Sequence, residues 1–169
     1  MSLPQRTEAA PHYFTYIDLI SGDDILQTMN VQLDDTAALL VGVSEEKSLH
    51  RYAPDKWSVR QVISHVNDTE RVFAFRALWF ARGFSDPLPS FDQNMASNAA
   101  RADDYSWASH VQEFRKIREA TLVFFRNLPT EAWVRSGVAS GNSVTVNALA
   151  YIIAGHVAHH GAILQERYL

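Results

Sequence analysis

The 169-residue sequence contains no cysteine. This absence excludes disulfide bonds, thiolate metal ligands and a cysteine nucleophile, so a metal ion could be held only by imidazole, carboxylate or water. An excess of basic residues is also missing, because the net charge is -4. A basic face is the usual mark of a nucleic-acid-binding protein, and we therefore expect no nucleic-acid partner.

Long apolar runs are lacking as well. No run reaches the roughly 18 residues that a membrane-spanning helix needs. Residues 1–20 do not combine a basic start with an apolar stretch, as a signal peptide would. We therefore expect no membrane association and a cytoplasmic location. The composition, 47% hydrophobic and 20% charged, predicts a single globular domain over residues 1–169, in which residues 1–11 form a loose N-terminal arm.

What the sequence does contain is four long segments with apolar residues at helical spacing. The predicted helices run from residue 23 or 24 to about 43, from 58 to 82, from 106 to 127, and from 145 almost to the C-terminus. Ser58 and Gln61 have the spacing of a capping box, and Pro129 ends the third helix. The pattern predicts an all-α four-helix bundle, with a short extra helix in the aromatic segment near residues 13–17.

Two long connectors join these helices. Residues 83–104 show no clear period, and a connector of this length predicts a crossover that lets the second and third long helices run parallel. The other connector covers residues 129–145. Its end, Val144-Thr145-Val146, alternates like a strand, but we interpret it as the beginning of the fourth helix.

Two histidines occupy the apolar seam of the fourth helix. His156 and His160 continue the spacing of Leu149 and Ile153, and residues four apart lie on one helical face. A buried imidazole needs a partner, and a shared metal ion satisfies two at once. His65 lies within the apolar arc of the second long helix. Three histidines could thus form three corners of a tetrahedron, with the fourth corner open to water or substrate; the alternative is a set of hydrogen-bonded core histidines.

Acidic residues near these histidines are candidates for supporting roles. Asp68 lies about one turn beyond His65 and could accept the second N–H of that ring. Glu70 could do the same, or could form an ion pair with Arg71 or Arg76.

Asp92, in the long connector, could approach the open metal position as a general base, although a capped turn is the simpler interpretation. His159 is predicted to be a surface or dimer-facing residue, with a supporting hydrogen bond or proton transfer as the alternative. The remaining residues of interest show no partner pattern and are expected to be solvated: His12, His50, His110, Arg115, Lys116 and Arg118.

Two stretches around the histidines resemble the signature stretches of the DinB-like family. They are residues 56–71, KWSVRQVISHVNDTER, and residues 154–167, AGHVAHHGAILQER. The resemblance covers essentially the whole chain. It implies a four-helix bundle, often dimeric, with a divalent metal on three histidines, and the family's ligand positions fall on His65, His156 and His160.

The family is similar in turn to enzymes that use mycothiol, bacillithiol or glutathione, and to the histidine-rich half of the sulfoxide synthases that form ergothioneine. Those synthases use His-x-x-x-His-x-Glu, and Ala162 at the last position here counts against that activity. Two hypotheses remain. The chain is an enzyme in which zinc or nickel, or else iron or manganese, activates a low-molecular-weight thiol or water against a small electrophile, as a thiol S-transferase or hydrolase. Alternatively, it is a non-enzymatic, metal-stabilised homodimer.

Overall fold

The computed structural model describes residues 2–169 and is mostly helical, as predicted. Four long helices form the bundle, a short helix precedes them, and a second short helix and a hairpin lie in their connections. The elements are α1 (Phe14–Ile17), α2 (Ile25–Val41), α3 (Val59–Ala81), α4 (Gln93–Ala100), α5 (Trp107–Arg126), β1 (Ser136–Ala139), β2 (Asn142–Thr145) and α6 (Val146–Arg167). None of the helices in the described chain combines the length and apolar composition needed to cross a lipid bilayer.

Side-chain caps begin all four long helices. Asp24, Ser58, Ser106 and Thr145 each accept a hydrogen bond from a backbone N–H in the first turn, which satisfies a group that has no partner within the helix. At the start of α3, the Gln61 side chain also accepts from the Ser58 N–H at 3.0 Å, which completes the predicted capping box.

The helix directions confirm the predicted crossover. Asn67 of α3 donates to Glu113 of α5, and one turn further along each helix Glu70 contacts Arg118, so α3 and α5 run parallel. Helices α3 and α6 are antiparallel neighbours, because the Tyr168 hydroxyl, just after α6, donates to the carbonyl of Trp57, just before α3. The parallel pair requires the connection that follows α3 to cross the length of the bundle.

Both connectors contain structure that the sequence pattern did not reveal. The first holds α4. The second forms a hairpin in which β1 pairs antiparallel with β2. The interpretation of residues 144–146 as the beginning of the fourth helix was wrong for Val144, which lies in β2, whereas Thr145 caps α6 and Val146 begins it. Ser140 and Gly141 have φ of 53° and 75°, which is the backbone of a two-residue type I′ turn. Leu88 of the first connector bonds to Val138 and so fastens the two connectors to each other.

The N-terminal arm is not loose where the structure describes it. The Glu8 carbonyl accepts a hydrogen bond from the Thr145 N–H at 3.0 Å, and the Glu8 carboxylate accepts one from the Thr145 hydroxyl at 2.7 Å. Ala9 and Ala10 are buried. These contacts hold residues 2–10 against the start of α6; the prediction of looseness for residue 1 lies outside the described residues.

Candidate metal centre

The three histidines selected from the sequence come together between α3 and α6. His65 lies in the first half of α3, and His156 and His160 lie one turn apart in α6. Because these helices are antiparallel neighbours, His65 faces the α6 pair across the helix contact. His65 and His156 are buried, and His160 is half-buried. The site is therefore at the side of the core, next to solvent.

The three rings point the same nitrogen at one another. His156 Nε2 is 3.1 Å from His65 Nε2 and 3.1 Å from His160 Nε2. One ligand atom from each ring lies within 4.8 Å of the others. Tetrahedral zinc with Zn–N bonds of about 2.0–2.1 Å separates its nitrogen ligands by about 3.3 Å. The observed spacing therefore suits a transition-metal ion with only small side-chain adjustments.

Proton counting also favours a cation at this point. A neutral imidazole Nε2 carries either one proton or one lone pair, so His156 cannot form full hydrogen bonds with both neighbours. Burial lowers the pKa of His65 to about 4. Burial, together with the charges of His65 and His159, lowers the pKa of His160 to about 3. Burial is also the main reason that the pKa of His156 is well below its usual value. Neutral rings at physiological pH have the free lone pairs that a metal ion requires.

Thr69, and not Asp68, is the partner of the His65 ring. Thr69 Oγ1 lies 3.3 Å from His65 Nδ1. With a proton on Nδ1, the ring donates to Thr69 and presents the lone pair of Nε2 to the site. Asp68 instead accepts from Arg71 at 3.3 Å, so its predicted role on the histidine was wrong. Thr69 lies four residues after His65 on the same face of the helix, and this spacing is the signal in the sequence that indicates the contact.

Glu70 also has a different role from those predicted. It forms a buried ion pair with Arg118 of α5, and it forms no ion pair with Arg71 or Arg76. Arg118 was expected to be solvated, but its side chain has no exposed surface. Both residues lie on the inner faces of their helices, where an isolated charge would be costly and a paired one is tolerated.

The remaining candidates divide between the site and the scaffold. Asp92 caps α4 by accepting from the N–H groups of Asn94 and Met95, so it forms a capped turn. His159 is half-buried, and its ring packs edge-on against Tyr16 at 5.4 Å and against His160 at 5.0 Å. It therefore adjoins the triad without joining it.

Two of the three histidines that were expected to be solvated are exposed, and one is not. His12 and His50 are exposed. His110 is buried because the start of α5 packs against the turn at Ala102–Asp104, and its Nε2 donates to the Ala102 carbonyl at 2.9 Å. The prediction for His110 was wrong.

A cavity of about 190 Å³ opens beside His65 and His156. Its wall includes residues that the sequence analysis did not select as site residues: His12, Tyr13, Tyr16, Thr69, Val72, Phe73, Arg76, Phe91, Gln93, Ser140. They come from α1 and the turn before it, from α3, from the first connector and from the hairpin turn, so no single stretch of sequence could indicate them. A second cavity of about 230 Å³ reaches His160 from the other side, next to Trp57 and Tyr168.

A match to a family model shows to which protein family the chain belongs. The sequence model of the DinB superfamily matches residues 29–164, which include all three histidines. The chain belongs to the DinB superfamily. The family inferred from the stretches around His65 and His156 is thereby confirmed, as is the four-helix bundle.

Two solved structures share this DinB-type fold. One is YfiT from Bacillus subtilis, described as a probable metal-dependent hydrolase with an unusual four-helix bundle topology. It matches with a TM-score of 0.71 and 16% identity, over 96% of this chain and 89% of YfiT. The other is a mycothiol-dependent maleylpyruvate isomerase, with a TM-score of 0.72 and 14% identity. That match covers 86% of this chain and 61% of the isomerase, so this chain spans about three fifths of its length. Among curated proteins, no sequence match was found.

Proposed function

We propose that this DinB-superfamily protein is a metal-dependent enzyme that activates a low-molecular-weight thiol or water for attack on a small electrophile. The metal would be held by His65, His156 and His160. The observation that carries the proposal is the convergence of three neutral Nε2 atoms next to a cavity of about 190 Å³. A site with three protein ligands and an adjacent space for a small molecule is typical of catalytic centres, whereas structural centres are closed by a fourth ligand.

A bound divalent ion would supply Lewis acidity, which lowers the pKa of a coordinated water or thiol enough for it to ionise near neutral pH. The residues of the chain supply the rest. Burial keeps the three rings neutral, and Thr69 orients the His65 ring. Aromatic side chains of Tyr13, Phe73 and Phe91 line the cavity and limit the access of bulk water. Because the chain has no cysteine, the sulfur of any thiol reaction must come from a cosubstrate.

Three imidazole ligands suit zinc or nickel best, and iron or manganese are further candidates. The two structural relatives support different branches of the proposal, because one is described as a hydrolase and the other uses a thiol. The cavity volume favours a small molecule as the substrate in either branch, since each water molecule occupies about 30 Å³ of liquid.

The experiment is to load the purified protein separately with zinc, nickel, manganese and iron, and to assay ester hydrolysis and conjugation of small thiols to electrophiles. We expect at least one metal to raise one of these rates well above that of the His156→Ala variant loaded in the same way. His50→Ala is the matched control, because His50 is exposed and lies outside the triad. Equal rates in the wild type and His156→Ala, with every metal, would contradict the proposal.

A second candidate, a non-enzymatic homodimer that is stabilised by metal, has one specific observation in its favour. The triad joins α3 to α6, so a bound ion would cross-link two helices that are distant in sequence. This candidate predicts that metal raises the melting temperature and that no small substrate binds in the cavity beside the triad. Sedimentation of the metal-loaded and chelator-treated protein tests the dimer separately, because the proposed catalytic site is built from one chain.

A further inference from the structure

Arg76 is a buried cation in the wall of the cavity beside the histidines. It extends from α3, and only 4% of the residue is exposed. Its Nη2 donates to the carbonyl of Pro89 at 3.0 Å and to the hydroxyl of Ser140 at 2.9 Å. These two bonds fix the plane of the guanidinium group between the first connector and the hairpin turn.

No carboxylate in residues 2–169 neutralises this charge. The nearest acidic residues on α3 are committed elsewhere, because Glu70 is paired with Arg118 and Asp68 with Arg71. The Nε and Nη1 groups of Arg76 donate to no atom of the described chain, and neither is sealed from solvent. A charge buried without an opposite charge is costly, and such groups normally hold a counter-ion or a ligand.

Arg76 and two of the histidines, His65 and His156, line the same cavity. Successive turns of α3 place His65, Thr69, Val72, Phe73 and Arg76 along its wall. At a rise of 1.5 Å per residue, the Cα atoms of His65 and Arg76 are about 16 Å apart along the helix. A ligand held by Arg76 would therefore present its other end to the histidines, and the two sites would bind different groups of one molecule.

We propose that Arg76 binds a carboxylate at one end of the substrate, or of its thiol cosubstrate, and so directs the opposite end toward the histidine triad. The direction of the reacting end rests on the proposed function; the anion site itself rests only on Arg76 and its surroundings. Arginine suits this role because its planar fork can donate two parallel hydrogen bonds to a carboxylate.

The surroundings favour a singly charged carboxylate over a phosphate. Arg76 is the one Lys or Arg side chain in the wall of this cavity, and the neighbouring wall is aromatic or aliphatic at Phe73, Val72 and Phe91. A phosphate monoester carries up to two negative charges, and its second charge would find no second Lys or Arg side chain in the wall. A carboxylate on an apolar carbon skeleton matches both the charge and the wall.

The test measures the affinity of 3-phenylpropionate and of its uncharged amide, 3-phenylpropanamide, by titration calorimetry. It uses the wild-type protein as purified and after loading with zinc, with phenyl phosphate as a further probe. We expect the wild type to bind the carboxylate at least tenfold more tightly than the amide in both states, and more tightly than phenyl phosphate. In Arg76→Gln the preference for the carboxylate over the amide should fall to less than threefold. Arg82→Gln, which removes an exposed charge near the end of the same helix, should keep the preference.

Each alternative result has a clear meaning. Equal affinity of the wild type for carboxylate and amide overturns the inference, and this result needs no variant that might fold poorly. Tighter binding of phenyl phosphate overturns the choice of ligand class. A carboxylate preference that appears only with zinc and survives in Arg76→Gln places the carboxylate on the metal, which overturns the inference and leaves the proposed function standing. If the protein binds no zinc but still shows a preference for the carboxylate that depends on Arg76, the inference stands and the proposed function fails.

Discussion

Arg118 and Glu70 form a two-pronged ion pair that is sealed inside the bundle. Arg118 Nε and Nη2 donate to the two Glu70 carboxylate oxygens at 2.9 Å each, and the side chains are 0% and 3% exposed. Arg118 Nη1 also donates to Gln32 at 2.8 Å, and the Gln32 amide donates to the Ala154 carbonyl at 2.9 Å. The network therefore links α3, α5, α2 and α6, and it ends two residues before His156.

Breaking this pair from one side should be strongly destabilising. We expect Glu70→Leu to lower the free energy of unfolding by about 3–5 kcal/mol, because Arg118 would stay buried without its counter-charge. Replacing both residues, as in Glu70→Leu with Arg118→Met, should recover much of this loss, since no unpaired charge remains. Urea unfolding followed by circular dichroism measures both.

Glu119→Ala is the control for this experiment. It breaks the exposed ion pair with Lys116 on the same helix as Arg118 and should change the free energy of unfolding by less than about 1 kcal/mol. If Glu70→Leu cost no more than Glu119→Ala, the buried network would not be holding the four helices together.

Arg118 also shows where prediction from the sequence stopped. The three basic residues Arg115, Lys116 and Arg118 lie close together in the sequence, which suggested a solvated face. Arg115 and Lys116 are indeed exposed. The helical phase pointed the other way, because position 118 lies one turn after Phe114 and one turn before Thr121, which are both buried. The phase identifies an inward position. Only the fold shows that the compensating carboxylate belongs to Glu70, 48 residues earlier in the chain.

The elements that were predicted well depend on local signals. Helix caps such as Ser58 and Thr145 act within one turn, and the spacing of His156 and His160 follows directly from the helical repeat. The missed elements depend on distant partners. β1 and β2 are four residues each, and the hairpin is extended by the bond from the Leu88 N–H to the Val138 carbonyl. The cavity wall has no local signal, because its residues come from five separate segments.

Metal binding at the triad should stabilise the fold. At free zinc about 100 times the dissociation constant, one site adds about 2.7 kcal/mol. For a chain of this size, that gain should raise the melting temperature by roughly 5–10 °C. His65→Ala should remove the response to zinc, because it removes the only α3 ligand of the group. A zinc-dependent rise of the same size in His65→Ala would show that the ion binds elsewhere, and exposed His50→Ala is the matched control.

The stability of the metal-free protein should fall as the pH is lowered below about 6.5, the usual pKa of an unfolded-chain histidine. The folded-state pKa values are depressed, to about 4 for His65 and about 3 for His160, so below pH 6.5 the unfolded chain binds protons that the folded protein does not. Each such histidine lowers the free energy of unfolding by up to about 1.4 kcal/mol for each pH unit below 6.5, until the pH reaches the pKa of that histidine in the folded protein.

Urea unfolding at a series of pH values, with chelator present, measures this slope. His160→Asn should reduce it between about pH 6 and pH 4, because one proton-linked group is removed. His50→Asn, on the exposed connector, should leave it unchanged. A wild-type slope that His160→Asn does not reduce would mean that the His160 ring is protonated as readily in the folded protein as in the unfolded chain.

Gly155 allows α1 to lie directly against α6 next to the triad. A Cβ atom at this position would be 2.2 Å from the Tyr16 carbonyl oxygen, which is backbone and cannot rotate away. The Tyr16 ring packs edge-on against His156 at 5.3 Å and lines the cavity. We therefore expect Gly155→Ala to push α1 outward. The overlap should cost about 1–3 kcal/mol, which exceeds the gain of up to about 1 kcal/mol that alanine brings to a helix.

Gly161→Ala, in the same helix, is the matched control. Nothing lies within 4 Å of a Cβ atom at Gly161, so only the helix-propensity gain should remain and the variant should be slightly more stable than the wild type. Thermal unfolding compares the two variants, and the intrinsic fluorescence of the protein reports whether the Tyr16 segment has moved. Because the two changes are chemically identical and six residues apart, a similar gain in stability from both would mean that the close contact between α1 and α6 does not constrain the wall of the metal centre.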